Sequence, residues 1–324
     1  MLGREGRWPV NERAELIRPP ALRLGARLAV VSPASTPKAE LVEEGMRALR
    51  GLGYEPVLFP HALDRGPLYF AGTTEQRASD LQAAFSDDSI DAVICTRGGY
   101  GSAHLLPLLD AGIVRQHPKP FIGYSDHTSL HTWFQDVAGM VTFQGPMVAA
   151  DFARDGGVDW ASWNHALSGK AAWSLGVADG LRVLQAGRAE GHLCGGCISL
   201  LTASMGTPFE ARTGGGILFV EDIGAKPYQV ERMLLQLRRA GKLREVKGIV
   251  FGEMQNCAQP GAPEELLEDS IRYALADFEG PIGIGLRSGH AAGANVTLPL
   301  GAAVELDLSA SGSAAMRFSP LAPT

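Results

Sequence analysis

FIGYSDHT, residues 121–128, reads as an apolar strand that runs into a serine and turns at once into a helix. Four buried-type residues precede Ser125, and helical spacing resumes at Thr128 and continues to Val137. The same strand-then-helix order recurs on its N-terminal side. Leu28–Ser32 (LAVVS) is a short apolar run closed by Pro33. Lys38–Leu52 carries Leu41, Val42, Met46, Leu49 and Leu52 on one helical face, and Gly53 stops it. Tyr54–Phe59 reads as a strand, Thr73–Phe85 as a helix capped by Thr73 or Thr74, Ile90–Cys95 as a strand, and Ser102–Leu109 as a helix. Strands alternating with helices predict an α/β fold, an open parallel sheet covered by helices on both faces.

Beyond about residue 150 the pattern loosens. Trp160, Trp163 and Trp173 cluster in a stretch suited to packing one element on another, and a connecting region is expected over 166–185. The second half is richer in glycine and short strands. Gly216–Glu221 (GILFVE), Gly248–Phe251 and Ala303–Leu308 read as strands, and Val230–Arg239 and Leu266–Leu275 as helices. The expected organisation is a tail over 1–24, a nucleophile-bearing domain over 25–165, the connection, and a second domain over 186–320.

The chain has 324 residues, enough for two cores; at 45% hydrophobic and 20% charged residues it is globular rather than disordered. A net charge of −6 gives no basic patch for nucleic acid or an anionic membrane, and no apolar run reaches the ~20 residues of a membrane span. Arg4, Arg7, Arg13, Arg18 and Arg23 mark the N-terminal 24 residues, which lack the apolar core of a secretory signal; a solvated tail is expected. Cys95, Cys194, Cys197 and Cys257 are too few for a disulfide scaffold and fit reduced thiols in a cytoplasm. Cys194 and Cys197 form a lone C-x-x-C without the second pair a zinc ribbon needs, and are expected to be buried small residues.

Ser125 on its sharp turn is either a helix cap or a nucleophile whose oxyanion would be met by the next backbone N–H. The glycine-rich turn after the neighbouring strand, Cys95–Gly101 (CTRGGYG), is either a tight turn or a second N–H donor, from Gly98 or Gly99. It lacks the Lys-Ser/Thr of a phosphate loop, so no nucleotide is expected. A serine nucleophile needs a base, and the base an orienting carboxylate. Of the eight histidines, His290 stands out in the glycine-flanked loop RSGHAAG, after a strand-like Ile282–Gly285. His127 and His131 have a spacing that could chelate a metal but lack the accompanying glutamate of H-E-x-x-H, so no metal is expected. Glu221 and Asp222 end the GILFVE strand, and either acid could serve.

Taken together, these stretches resemble the LD-carboxypeptidase family, the serine peptidases that trim murein tetrapeptides. The likeness is carried in order by VVSPAS from Val30, CTRGGYGSAHLLPLLD from Cys95, PKPFIGYSDHTSLH from Pro118, GPM at Gly145, GILFVEDIGAKPYQVERMLLQL from Gly216 and GHAAGANVTLPLG from Gly289. The resemblance implies Ser125 as nucleophile, His290 as general base and Glu221 as its partner. It implies oxyanion donors at the backbone of Gly99 and Asp126, and a cationic or N–H-rich pocket for the substrate carboxylate, where Arg97 is the candidate. It also implies a Rossmann-like N-terminal domain, a smaller β-rich α+β C-terminal domain, a homodimer, no cofactor, and a murein tetrapeptide as substrate. Gln144, Cys197 and Ala225 stand where the family more often has histidine, asparagine and an acidic residue. A microcin-immunity branch of the same family, cleaving aminoacyl-nucleotide amides, is the nearest alternative. A non-catalytic α/β protein holding an anion on the glycine turn is the alternative of a different class.

Overall fold

The computed structural model describes residues 16–320, so most of the expected tail, residues 1–15, lies outside the described residues. Five strands of the first half, β1 (Arg27–Val31), β2 (Glu55–Leu58), β3 (Ala92–Cys95), β4 (Phe121–Gly123) and β5 (Thr142–Gln144), form a parallel sheet in the order β5-β4-β3-β1-β2. All are short; β1, β3, β4 and β5 are buried, as strands covered on both faces must be, whereas the edge strand β2 is half-exposed. Apolar residues of Ala39–Gly51 pack on one face and those of Thr74–Ser86 on the other. The second of these helices starts on a reciprocal cap: Thr73 Oγ1 accepts from Gln76 N at 3.2 Å, and Gln76 Oε1 from Thr73 N at 2.8 Å.

The second sheet has eight strands. Chain order gives β6 (Trp173–Gly176), β7 (Arg182–Gln185), β8 (Gly187–Cys197), β9 (Gly216–Glu221), β10 (Gly248–Gly252) and β11 (Ile282–Leu286). The next strand, β12 (Leu298–Leu300), leaves this sheet and pairs antiparallel with β5 on the edge of the first. The last two, β13 (Ala303–Leu308) and β14 (Ala314–Phe318), return to it. The spatial order is β6-β14-β13-β8-β9-β10-β11-β7, with β8 to β11 parallel and the flanking pairs antiparallel. The stretch 166–185 therefore carries two strands of this sheet, β6 and β7. Of the stretch 16–24, Ile17 bridges to Met140 and Leu22 N donates to Leu167 O at 2.9 Å.

Two local expectations change. Ser102–Leu108 is a 3-10 helix, not an α-helix; Pro107 inside it has no N–H to give and its ring crowds the carbonyl four residues back. The helix expected over 128–137 is α only from Thr128 to Trp133 and widens to π over Phe134–Ala138. What matters for chemistry is the common direction: the carboxyl ends of β1, β3 and β4 in one sheet, and of β9 and β11 in the other, supply the loops described next. Ligands bind there in open parallel sheets.

Candidate active site

β4 ends at Gly123, Tyr124 stays extended with φ −153°, and Ser125 then takes φ +67°. A non-glycine residue in the left-handed region costs on the order of 1–3 kcal/mol, so the surroundings must impose it. Three contacts do so. The Asp126 carboxylate accepts from Ser102 N at 2.7 Å, while Ser102 Oγ donates to Asp126 O at 2.6 Å. His127 Nε2 donates to Arg97 O at 3.0 Å, tying the serine turn to the glycine turn. His131 Nε2 donates to Gly123 O at 2.8 Å and its Nδ1 accepts from Thr142 Oγ1 at 2.8 Å, which pins the strand end behind the serine. The ring nitrogens that sequence spacing offered to a metal are thus engaged with the protein, both in His131 and Nε2 in His127.

Gly98 lies flush against the serine. A Cβ there would stand 2.7 Å from Ser125 Cβ and 2.8 Å from Ser125 Oγ, so the close approach admits only glycine. The glycine turn and the first N–H groups of the Ser125–His127 turn accordingly border one space beside the hydroxyl. N–H groups at a helical start have no partner within their own turn.

Opposite, β9 ends at Glu221, whose side chain is only 1% exposed. Glu221 Oε2 accepts from His290 Nδ1 at 2.7 Å and from the His290 backbone N–H at 3.1 Å. Gly289, with φ +85°, permits this: a Cβ there would meet the Glu221 carboxyl at 2.7 Å. Burial alone would lower the His290 pKa. The Glu221 hydrogen bond and the charges of Glu221, Asp222 and Asp151 outweigh it and hold the imidazole above its ordinary value. Nδ1 is committed to Glu221, which leaves Nε2 as the ring nitrogen without a hydrogen bond among the described residues. Of the two acids that local sequence offered, the one the resemblance favours, Glu221, bonds the imidazole, while Asp222 accepts from Ser199 N at 3.1 Å and Ile223 N at 2.8 Å and anchors the turn.

Ser125 and His290 line one pocket of about 240 Å³ together with Lys38, Leu41, Arg97, Gly98, Gly99, Tyr124, Met147, Ala149 and Ala150. The Tyr124 ring stands edge-on to the His290 ring at 5.3 Å. No hydrogen bond joins Ser125 Oγ to His290 among the described residues; such bonds commonly tighten only once substrate is bound. A larger hollow of about 410 Å³ between Arg238, Lys247 and Glu279 shares no residue with this pocket.

Two family models match the chain, the LD-carboxypeptidase N-terminal domain over residues 28–145 and the LD-carboxypeptidase C-terminal domain over 190–306. The chain belongs to the LD-carboxypeptidase family. As a member it is a serine-type peptidase, a hydrolase. A Bacillus subtilis (strain 168) protein named "Probable murein peptide carboxypeptidase" is 36% identical over 88% of this chain and 90% of its own length. The crystal structure of muramoyltetrapeptide carboxypeptidase from Oxalobacter formigenes is 28% identical and superposes with a TM-score of 0.79, covering 91% of this chain and 99% of that one. An MccF-like protein from Bacillus anthracis str. Ames shares the fold, with a TM-score of 0.86 at 24% identity over 94% of this chain and 99% of that one.

Within this LD-carboxypeptidase, the residues singled out in sequence fall as follows. Ser125, His290, Arg97 and Gly99 line the pocket, Glu221 stands directly behind His290, and Asp126 follows the serine with its side chain turned to Ser102. Arg97 is exposed, and its guanidinium has no ion-pair or hydrogen-bond partner among the described residues. The C-x-x-C cysteines are buried, as read; Cys197 N donates to Thr128 Oγ1 at 2.9 Å, joining the end of β8 to the helix behind the serine. Sequence reading passed over Lys38, a second exposed cation on the pocket wall, and the apolar wall of Leu41 and Met147. Lys38 follows the end of β1, and position after a parallel strand was the available signal.

Proposed function

We propose that this chain is a serine carboxypeptidase that cleaves an L,D-peptide bond and releases the terminal D-alanine of a murein tetrapeptide. Ser125 Oγ attacks the carbonyl carbon of the penultimate L-residue and gives its proton to His290 Nε2. The tetrahedral oxyanion is held by the backbone N–H groups of Gly99 and Asp126, each such donor being worth roughly 3–4 kcal/mol in comparable sites. Collapse breaks the C–N bond, and His290 passes its proton to the leaving amine of D-alanine. Water, deprotonated by His290, then attacks the acyl-enzyme and frees Ser125. Glu221 fixes the imidazole with Nε2 facing the serine and stabilises the cation that forms.

The observation that carries this reading is the meeting of Ser125 and His290, from different sheets, in one pocket, with Nδ1 of His290 held by buried Glu221 at 2.7 Å. Arg97 is the group for the substrate's terminal carboxylate, because its guanidinium is unpaired at the pocket wall and planar enough to take a carboxylate in two bonds. The family likeness adds a homodimer acting in the cytoplasm on peptides recovered from the wall.

The test is conversion of a murein tetrapeptide to tripeptide plus D-alanine by the purified chain, beside an aminoacyl-sulfamoyl adenosine. Turnover of the tetrapeptide that vanishes in Ser125→Ala is the expected result. Cleavage of the nucleotide amide alone would move the chain to the microcin-immunity branch. Cleavage of neither, with no labelling of Ser125 by a fluorophosphonate, would make it a binding protein.

A further inference from the structure

The loop that bears His290 belongs to the second sheet, but its hydrogen bonds reach into the first lobe. After β5 the chain makes a π-type turn, Val148–Phe152, whose Val148, Ala149 and Phe152 pack in the same core as Val42 and Met46 of the helix Ala39–Gly51. Asp151 in that turn is buried, with a side chain only 2% exposed. Its Oδ2 accepts from Met147 N at 2.9 Å and its Oδ1 meets Arg154 Nη2 at 3.3 Å.

From there the Arg154 guanidinium spans the lobes. Nη1 donates to Ala292 O at 3.0 Å, and Nη2 to Ala291 O at 3.3 Å and Gly293 O at 2.8 Å. These are the three carbonyls that follow His290. The other end of the loop is held by the same segment. Gly289 N donates to Asn295 Oδ1 at 3.0 Å, Asn295 N to Gly157 O at 2.9 Å, and Asp159 N to Asn295 O at 3.1 Å. His290 therefore hangs between two anchors: Glu221 on its own sheet sets the ring's tautomer, and residues 151–159 of the serine's lobe hold the loop.

We propose that Arg154, braced by Asp151, is a positioning residue that fixes the His290 loop relative to the lobe carrying Ser125, and so sets the approach of Nε2 to the serine hydroxyl. The proposal rests on the triad reading given above. A guanidinium suits this task because its fixed fork can serve several oxygens at once, whereas an ammonium is a single point. Its bonds to the loop carbonyls are charge-assisted, and the buried Asp151 carboxylate keeps it from turning outward. The arginine does not line the pocket that Ser125 and His290 share, so its loss should be felt in the chemical step rather than in binding. A misplacement of about 1 Å at a reacting group can cost on the order of 10²-fold in rate.

The test uses the full chain with a peptide ending in an L-residue joined to D-alanine. Arg154→Ala should lower kcat about 10- to 100-fold with KM within about twofold, and should slow fluorophosphonate labelling of Ser125 in parallel. Arg154→Lys should recover part of the loss, and guanidinium at low millimolar concentration should raise the rate of Arg154→Ala. If Arg154→Ala does not fold, Arg154→Lys is read alone: a reduced kcat at unchanged KM supports the positioning role, and an unchanged kcat overturns it. A kcat of Arg154→Ala within twofold of the parent, or a loss confined to KM, also overturns it. His290→Ala is measured alongside. Full turnover in that variant would overturn the triad, whereas an inactive His290→Ala beside a fully active Arg154→Ala would remove the clamp alone.

Discussion

Two imidazoles in this molecule, one fully buried and one largely enclosed, have opposite fates. His131, in the helix behind the serine, is fully buried between Thr142 Oγ1 and Gly123 O, with no carboxylate against its ring. Burial dominates there and pushes its pKa down to about 3, with the Gly123 carbonyl opposing weakly. His290 is also largely enclosed, but Glu221 sits on its Nδ1, and the imidazole is held above its ordinary value. The main difference is the hydrogen-bonded carboxylate of Glu221, helped by the charges of Asp222 and Asp151. Without it a buried histidine is a neutral packing piece with both nitrogens spent; with it the ring keeps Nε2 free and can carry a proton.

The largest way to break this comparison is removal of the proposed nucleophile and base. Ser125→Ala and His290→Ala should each cost on the order of 10⁶-fold in kcat, since members of such a set act as a unit. Retained turnover in His290→Ala would mean that the carboxylate-bound imidazole is not the base. The sharper experiment makes the environment of His290 more like that of His131. Glu221→Gln keeps the shape and removes the charge, and should cost less, on the order of 10⁴-fold. Its pH profile carries the sign. The base must be neutral, so kcat/KM of the parent should rise with pH through an apparent pKa above 6.5, the ordinary histidine value. Taking away the negative charge destabilises the imidazolium, so the acid limb of Glu221→Gln should move to lower pH. An unmoved limb would show that another group titrates.

The same contrast explains what was legible in the sequence. Alternation of LAVVS, AVIC and FIG, and of the half-exposed edge run PVLF, with amphipathic helices gave away the parallel sheet, because strands buried on both faces must be continuously apolar. The long strand Gly187–Cys197 was passed over: its first half alternates charged and small residues on a half-exposed face, and its second half is glycine-rich. β12 crosses into the first sheet by pairing with a strand more than 150 residues earlier, which no local pattern encodes. For the site, the loop chemistry of Ser125 and His290 stood out locally, but their meeting came from ordered family motifs. The choice of Glu221 over Asp222 likewise came from the family motifs, since local spacing offers both acids equally. Arg154 was invisible because its partners in the His290 loop are main-chain carbonyls, which leave no trace in side-chain spacing, and the Asp151–Arg154 pair alone reads as an ordinary local ion pair.

The smallest expected effect concerns stability rather than turnover. In the folded state His131 binds a proton only near pH 3, whereas in the unfolded chain it does so near 6.5. Its contribution to stability is therefore complete above 6.5 and is lost as pH falls from 6.5 towards 3, at up to about 1.4 kcal/mol per pH unit. His290 runs the other way, because its raised value adds stability that is full below 6.5 and fades as pH rises through the folded pKa. Urea unfolding of the parent and of His131→Gln at pH 6.5 and 4.5 separates the two. Glutamine can still donate to Gly123 O, and the carboxylates common to both proteins cancel in the difference. The variant's stability should fall less over this interval, by roughly 2–3 kcal/mol. Ring-proton NMR gives the same answer site by site: the His131 resonances should not titrate between pH 8 and 4.5, while those of His290 should move above 6.5. A His131 ring that titrates normally would mean that burial without a carboxylate does not separate the two imidazoles, and the comparison would lose its physical basis.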